Sequence, residues 1–220
     1  MQGSMQDKLA IAYQDRAFDQ VLRIGKAVSN LTRLKIIFIL DQGPKSVEEI
    51  SKAINISVGT TSKNLQILKQ VNLVKEEKSK NFVFYALANE QVSQLLMLLT
   101  TLAEKTLPEM RCLEKTYDTL PQTEIADLSN QDSATTYVLD LRPTDEFNNV
   151  HLPGAHNIPF NEIDFTNLPF SPNQEVMVYC RGRLCGYANL VGNELKARGY
   201  THVSVFNHSM TEWQKEKAKN

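Results

Sequence analysis

The sequence predicts a two-domain chain: a mainly α-helical domain, then an α/β domain built around a parallel sheet. Three observations predict it. Residues 5–118 carry apolar side chains at helical spacing, interrupted by one short strand pair. Residues 136–220 alternate short apolar strands with helical stretches. Between them, residues 118–136 are rich in Thr, Gln, Ser, Asp and Asn and contain Pro121. The domains are therefore set at 5–118 and 122–220, with Ile125 and Leu128 opening the second in a short helix. Residues 1–4 read as a cloning remnant ahead of Met5.

Composition narrows the function. The chain holds 24 Lys+Arg against 25 Asp+Glu, which excludes a uniformly basic nucleic-acid coat and leaves room only for a local patch. The first half is slightly basic and the second slightly acidic, a sign that fits a DNA-facing first half. With 42% apolar residues the chain can bury real cores, so disorder is excluded. The longest apolar runs, 36–40 and 95–99, fall far short of the ~20 residues of a membrane span, and no secretory signal is visible. Three cysteines (Cys112, Cys180 and Cys185) are too few for a disulfide framework and point to the cytoplasm.

In the first half, Leu9, Ala12, Phe18, Val21, Leu22, Ala27 and Val28 mark one helix. A second runs over about 31–40 and stops at Asp41-Gln-Gly-Pro44. Ser46 and Glu49 make a capping box for a third, to about Ala53. Ser57 then caps a fourth, about 58–70, in which Thr61, Leu65 and Leu68 share the core side by the 3.6-residue period. Gly59, Thr60, Lys63 and Gln66 lie away from that core. With Ser57 and Asn64 they are the groups that suit a helix in a major groove, hydroxyls and amides meeting base edges and lysine meeting phosphate. Residues 73–87 read as a hairpin with Lys78 and Lys80 near its tip. Helix, turn, helix and charged hairpin in this order make a winged helix-turn-helix. The bland alternative is a polar surface helix beside a lysine-bearing turn.

Leu31-Thr-Arg-Leu-Lys-Ile-Ile37, Val47-Glu-Glu-Ile50, Ile56-Ser-Val-Gly-Thr-Thr-Ser-Lys-Asn-Leu65, Leu73-Val74 and Phe82-Val-Phe-Tyr-Ala-Leu87 resemble the ArsR/SmtB transcriptional repressors, over about residues 15–118. The resemblance implies a homodimer on a double-stranded DNA operator, with the first and last helices at the dimer interface. The apolar stripe Leu95, Leu98, Leu99, Leu102, Met110, Leu113 and Tyr117, expected to kink at Pro108, suits the last of these helices. The metal sensors of that family often carry a cysteine pair in the third helix or a His/Asp/Glu site in the last. Here the third helix has no cysteine and all four histidines lie beyond residue 150, so no soft-metal site is expected. Cys112 reads as a small buried residue.

In the second half, strands are expected at 137–140, 176–179 and 202–206, another after the turn at 154–159, and helices at 144–149, 186–198 and 211–217. The chemistry lies in Cys180-Arg-Gly-Arg-Leu-Cys-Gly186. A cysteine at the carboxyl end of a central strand, ahead of a helix N-terminus, stands where open α/β sheets place their ligands. Loop amides and helix dipole are expected to ionise Cys180, Arg181 and Arg183 to hold an anion, and Gly182 to let the loop turn tightly. The bland alternative is one more buried strand-end cysteine.

Val138-Leu-Asp-Leu-Arg142, Glu146-Phe147, His151-Leu-Pro-Gly-Ala-His-Asn-Ile-Pro159, Tyr179-Cys-Arg-Gly182 and Gly199-Tyr200 leading to Trp213 resemble a single rhodanese domain, over about 122–217. The resemblance implies that Cys180 accepts sulfane sulfur from a small sulfur-containing anion or a persulfide, with Asp140 and Arg142 shaping the site. His151 and His156 read as structural. His208-Ser209 replaces the glycine pair usual before the terminal Trp. Gly186 stands where phosphatase and arsenate-reductase loops carry arginine, which argues against that chemistry. Cys185 has two open readings, a helix-start residue or a thiol that resolves Cys180 as a disulfide. The expected function is a DNA-binding regulator whose second domain takes up sulfur, with no metal and no cofactor. Two rivals stand beside it: a sulfurtransferase whose helix-turn-helix mainly dimerises, and a rhodanese-fold sensor without turnover.

Overall fold

The computed structural model describes residues 5–79, 82–129 and 135–218, and divides the chain into two compact units, 1–98 and 99–220. Lys80, placed near the hairpin tip by the sequence, lies outside the described residues.

The first unit opens with α1 (Met5–Val28), along which only Ala27 is buried while Leu9, Phe18, Val21 and Leu22 stand exposed. Helix α2 (Leu31–Leu40) is apolar almost all round, and it becomes the central helix: Ile36, Ile37, Ile39 and Leu40 are buried. Asn30 caps it by accepting from the Arg33 N–H. The capping box of Ser46 and Glu49 opens α3 (Val47–Ile54), and Asn55 closes it in the left-handed region at φ 53°. Ser57 caps α4 (Val58–Gln70), whose Thr61, Leu65 and Leu68 are buried, as the periodicity predicts. The strands β1 (Val74–Ser79) and β2 (Phe82–Leu87) pair antiparallel, and Lys45 bridges to Tyr85 at their edge. Ile36, Ile50, Leu65, Leu68, Leu73, Tyr85 and Val92 share one core. Val92 belongs to α5 (Glu90–Thr106), so the division between the units falls inside that helix.

Pro108 does not kink the last helix. It occupies the first turn of a separate one, α6 (Pro108–Tyr117), after Leu107 in extended conformation. Proline lacks the N–H that a continuing helix needs but costs nothing at a helix start. Leu98, Leu99, Leu102, Leu113 and Tyr117 of the predicted stripe are exposed on the single chain. Cys112 is also exposed, against expectation. The reason is local: α6 buries no residue at all.

In the second unit the sheet runs in the order β4-β3-β5-β6, every neighbour parallel: β4 (Ala155–Asn157), β3 (Thr136–Asp140), β5 (Glu175–Tyr179) and β6 (Val203–Phe206). Gln122 adds a parallel bridge to Val205, so the segment ahead of β3 first meets the sheet along its β6 edge. A short 3-10 helix at Ile125–Ser129 follows, as the sequence leads one to expect. Val138, Met177, Tyr179 and Phe206 share one face of the sheet with Leu152 and with Met210 of α9 (Met210–Lys217). On the other, α8 (Tyr187–Ala197) approaches so closely at Gly192 that a Cβ there would meet Leu120, Val203 and Val205. The remaining helix, α7 (Thr144–Asn149), follows Pro143. His151 stacks on Phe147 at 4.0 Å between centroids and His156 on Tyr137 at 4.4 Å, both in packing roles. Among the described residues no helix is long and apolar enough to cross a membrane.

Candidate functional site

Two surfaces carry the residues the sequence points to. On α4, Ser57, Gly59, Thr60, Lys63 and Gln66 are all exposed. Ser57 and Thr60 are joined by a hydroxyl–hydroxyl bond of 3.0 Å, which fixes the helix start. Asn64 is half-buried; its Nδ2 donates to the Thr60 carbonyl and its Oδ1 accepts from Arg33, so it braces the helix more than it offers itself. Lys78 of β1 is exposed. The helix thus presents small, polar and cationic groups outward while Thr61, Leu65 and Leu68 hold it to the core.

The second surface is the loop 180–186. It begins where β5 ends and finishes at Gly186, the N-cap of α8. Gly182 has φ 92° and lies against the Ser209 backbone, where a Cβ would come within 2.8 Å of the Ser209 nitrogen. The Cys185 N–H donates to the Gly182 carbonyl at 2.8 Å, closing a tight turn that brings the two sulfurs to 2.6 Å. That is far inside ordinary contact and needs only a small further approach to reach the ~2.05 Å of a disulfide. Of the two open readings of Cys185, this geometry favours the resolving thiol.

The electrostatics differ from the sequence expectation. Cys180 is 1% exposed, and burial, together with its hydrogen bond to Cys185 and the Cys185 charge, pushes its thiol well up. Cys185, 7% exposed, is instead lowered to about 7, first by its hydrogen bond to Cys180, with the Arg181 and Tyr187 backbone N–H groups helping against burial. The helix N-terminus does favour a thiolate, but its first N–H, that of Tyr187, faces the cysteine adjacent to the helix. The first proton lost by the pair leaves the charge on Cys185, with the Cys180 S–H beside it.

The arginines expected to hold an anion are already engaged. Arg181 clamps Glu146 of α7, Nε to Oε2 at 2.9 Å and Nη2 to Oε1 at 2.8 Å. Arg183 reaches Glu104 of α5 at 2.6 Å and Glu212 of α9 at 2.9 Å. Asp140 and Arg142 form a fully buried ion pair at 2.6 Å, and Arg142 also donates to the Val150 carbonyl. They brace the strand end below the loop, and the Arg142 guanidinium lies 5.5 Å from the Tyr179 ring centre.

Sequence reasoning assigned no role to Glu146, Glu104 or Glu212. Glu212 carried a usable signal: with Ser209 it makes the capping box of α9, so the change to His208-Ser209 supplies a cap as well as a seat for Gly182. Glu104 carried none. Among the described residues no three His, Cys, Asp or Glu side chains gather as a metal site requires.

Comparison with known proteins gives two family matches, the arsR family of bacterial regulatory proteins at residues 30–76 and the rhodanese-like domain at 121–216. Glu104 lies in neither segment. The chain is 31% identical over 201 residues to the HTH-type transcriptional regulator Rv0324 of Mycobacterium tuberculosis, covering 89% of this chain and 88% of that protein. It is 34% identical over 95 residues to a cadmium resistance transcriptional regulatory protein CadC homolog of Staphylococcus aureus, covering 41% of this chain and 78% of the relative. A solution structure of the homodimeric winged helix-turn-helix DNA-binding domain Mb0332 from Mycobacterium bovis is 36% identical, covers 50% of this chain and 95% of that one, and gives a TM-score of 0.41.

Proposed function

Since the chain belongs to the ArsR-type helix-turn-helix transcriptional regulators that carry a rhodanese-like domain, we propose that it is a cytoplasmic homodimer whose operator binding responds to sulfane sulfur taken up at Cys180 and resolved by Cys185. Residues 5–118 dimerise and bind DNA through α4 and the hairpin; residues 122–220 handle sulfur. The exposed leucines of α5 and α6 support the dimer, because an apolar stripe of this size otherwise faces water. The observation that carries the sulfur reading is the 2.6 Å approach of two buried sulfurs.

The chemistry balances within the pair. The Cys185 thiolate takes the Cys180 proton as the Cys180 sulfur attacks the outer sulfur of a persulfide RS–SH. This forms Cys180–S–SH and expels RS⁻, which then removes the proton from Cys185. The restored Cys185 thiolate attacks the Cys180 Sγ and displaces HS⁻. The pair ends as a disulfide, oxidised by two electrons, and the donor sulfur leaves reduced as sulfide. Both guanidinium groups are neutralised by carboxylates and Cys180 is sealed, which favours a sensor that changes state over an enzyme with rapid turnover of a dianionic donor.

Intact-mass analysis after inorganic polysulfide, with the exposed Cys112 changed to Ser in every protein, tests this. The protein with the wild-type pair is expected to lose two hydrogens, Cys185→Ala to gain one sulfur, and Cys180→Ala to do neither. A sulfur gained in Cys180→Ala as readily as in Cys185→Ala removes Cys180 from the acceptor role. Many equivalents of thiocyanate per chain on adding thiosulfate and cyanide would establish the enzyme reading instead.

A further inference from the structure

Arg183 stands between the two cysteines in the chain, and its guanidinium joins three elements. One nitrogen donates to Glu104 in the last turns of α5 at 2.6 Å. The other donates to Glu212 at 2.9 Å, while the second Glu212 oxygen accepts the Ser209 N–H that caps α9. Glu104 feels the charges of Glu114 and Glu212 as well, and Arg183 is the cation that offsets them. All of these residues belong to the second unit.

The loop cannot take up sulfur as it stands. A sulfur bonded to Cys180 needs about 2 Å of new bond length, and the Cys185 sulfur already fills that space at 2.6 Å. Nor can the loop give way towards α9, because Gly182 already lies against the Ser209 backbone. Uptake therefore has to shift the loop away from α9, and Arg183 lies on the segment that moves.

Resting on the sulfur reading above, we propose that the Arg183–Glu104 ion pair is the coupling contact by which the state of the Cys180–Cys185 pair acts on α5. Arg183 is a positioning residue of the loop, and Glu104 is its counterpart. The loop displaced by sulfur uptake stays displaced when the pair closes as a disulfide, so Arg183 remains withdrawn and Glu104 feels Glu114 and Glu212 without the cation that offsets them. Like-charge repulsion then loosens the end of α5, a helix continuous from Glu90 in the first unit to Thr106 in the second. The coupling is reciprocal: if disulfide formation breaks this contact, weakening the contact favours the disulfide.

The test uses the full chain with Glu104→Gln, and Glu104→Asp as the charge-retaining control. Each protein is equilibrated in glutathione mixtures and its Cys180–Cys185 disulfide measured by mass; operator affinity is read by anisotropy on DNA from upstream of its own gene. In Glu104→Gln the disulfide-to-dithiol ratio is expected to rise about fivefold or more over wild type, a typical coupling size. The difference in operator affinity between the two states is expected to collapse. Glu104→Asp is expected to fall between the two proteins on both readouts. A Glu104→Gln equilibrium equal to wild type, or a wild-type-sized affinity change in that variant, overturns the coupling contact and leaves the sulfur reading standing. A wild-type disulfide with no effect on operator affinity also overturns it. A wild-type chain that forms no disulfide in any mixture removes the sulfur reading itself.

Discussion

Helix α4 and the loop 180–186, which leads into α8, are prepared for partners in opposite ways. On α4 the outward groups Gly59, Thr60, Lys63 and Gln66 are exposed; Ser57, Thr60 and Asn64 spend bonds on the helix itself, and Gln66 bonds to Glu76 and Tyr85 of the hairpin. In the loop both cysteines are buried and both arginines are committed to carboxylates. A surface of the first kind binds by being presented. A site of the second kind admits a new group only by giving up contacts it already has, and on the reading proposed above that changes the structure around it. That difference suits a chain in which one region reads DNA and the other changes state.

The comparison breaks most readily at the buried pair beneath the loop. Arg142→Met strands Asp140 without its cation, and urea unfolding of the second unit is expected to show a loss of about 3–5 kcal/mol. Lys63→Ala on α4, in contrast, should move stability by no more than about 0.5 kcal/mol. An equal effect at the two positions would erase the distinction. Next in size is the position of the thiolate. In a Cys112→Ser background, thiolate ultraviolet absorbance should appear as pH rises through about 7 and vanish with Cys185→Ser, because Cys185 is lowered to about 7 and is charged above that value. Cys180→Ala removes the S–H beside the charge, so the Cys185 titration should move up towards the ~8.5 of a free cysteine. A titration that stays in Cys185→Ser and disappears in Cys180→Ala would place the charge on the other sulfur. The smallest effect is expected at α4: Lys63→Ala should weaken binding to all DNA sequences alike and lower the salt slope by about 1. Loss confined to one operator sequence would make Lys63 a base reader.

What was legible in the sequence was local. The 3.6-residue period separated the buried side of α4 from its outer side, and Ser46 with Glu49 announced α3 because a capping box is satisfied within one turn. The strand-end cysteine before a helix was equally visible, as was the parallel sheet. The state of the site was not. Which sulfur ionises depends on the fold of the four residues between them, and the engagement of Arg181 and Arg183 depends on Glu146, Glu104 and Glu212, 29 to 79 positions away in the chain. Pro108 was read as a kink because periodicity continues across it; the break appears only in the backbone.

Asp118, just ahead of the rhodanese-like segment, is tied into the second unit. Its carboxylate oxygen accepts from the Asn189 side-chain amide of α8 at 2.6 Å and from that of Asn207 after β6 at 3.0 Å. A fragment cut at residue 122 would leave those amides facing a missing acceptor, next to an Asn189 Oδ1 that already has no hydrogen-bond partner. It would also remove Leu120, which fills the space above Gly192, and Pro121, whose carbonyl takes the Val205 N–H. Anyone isolating the rhodanese-like half should retain the chain from Asp118 onward as part of its architecture.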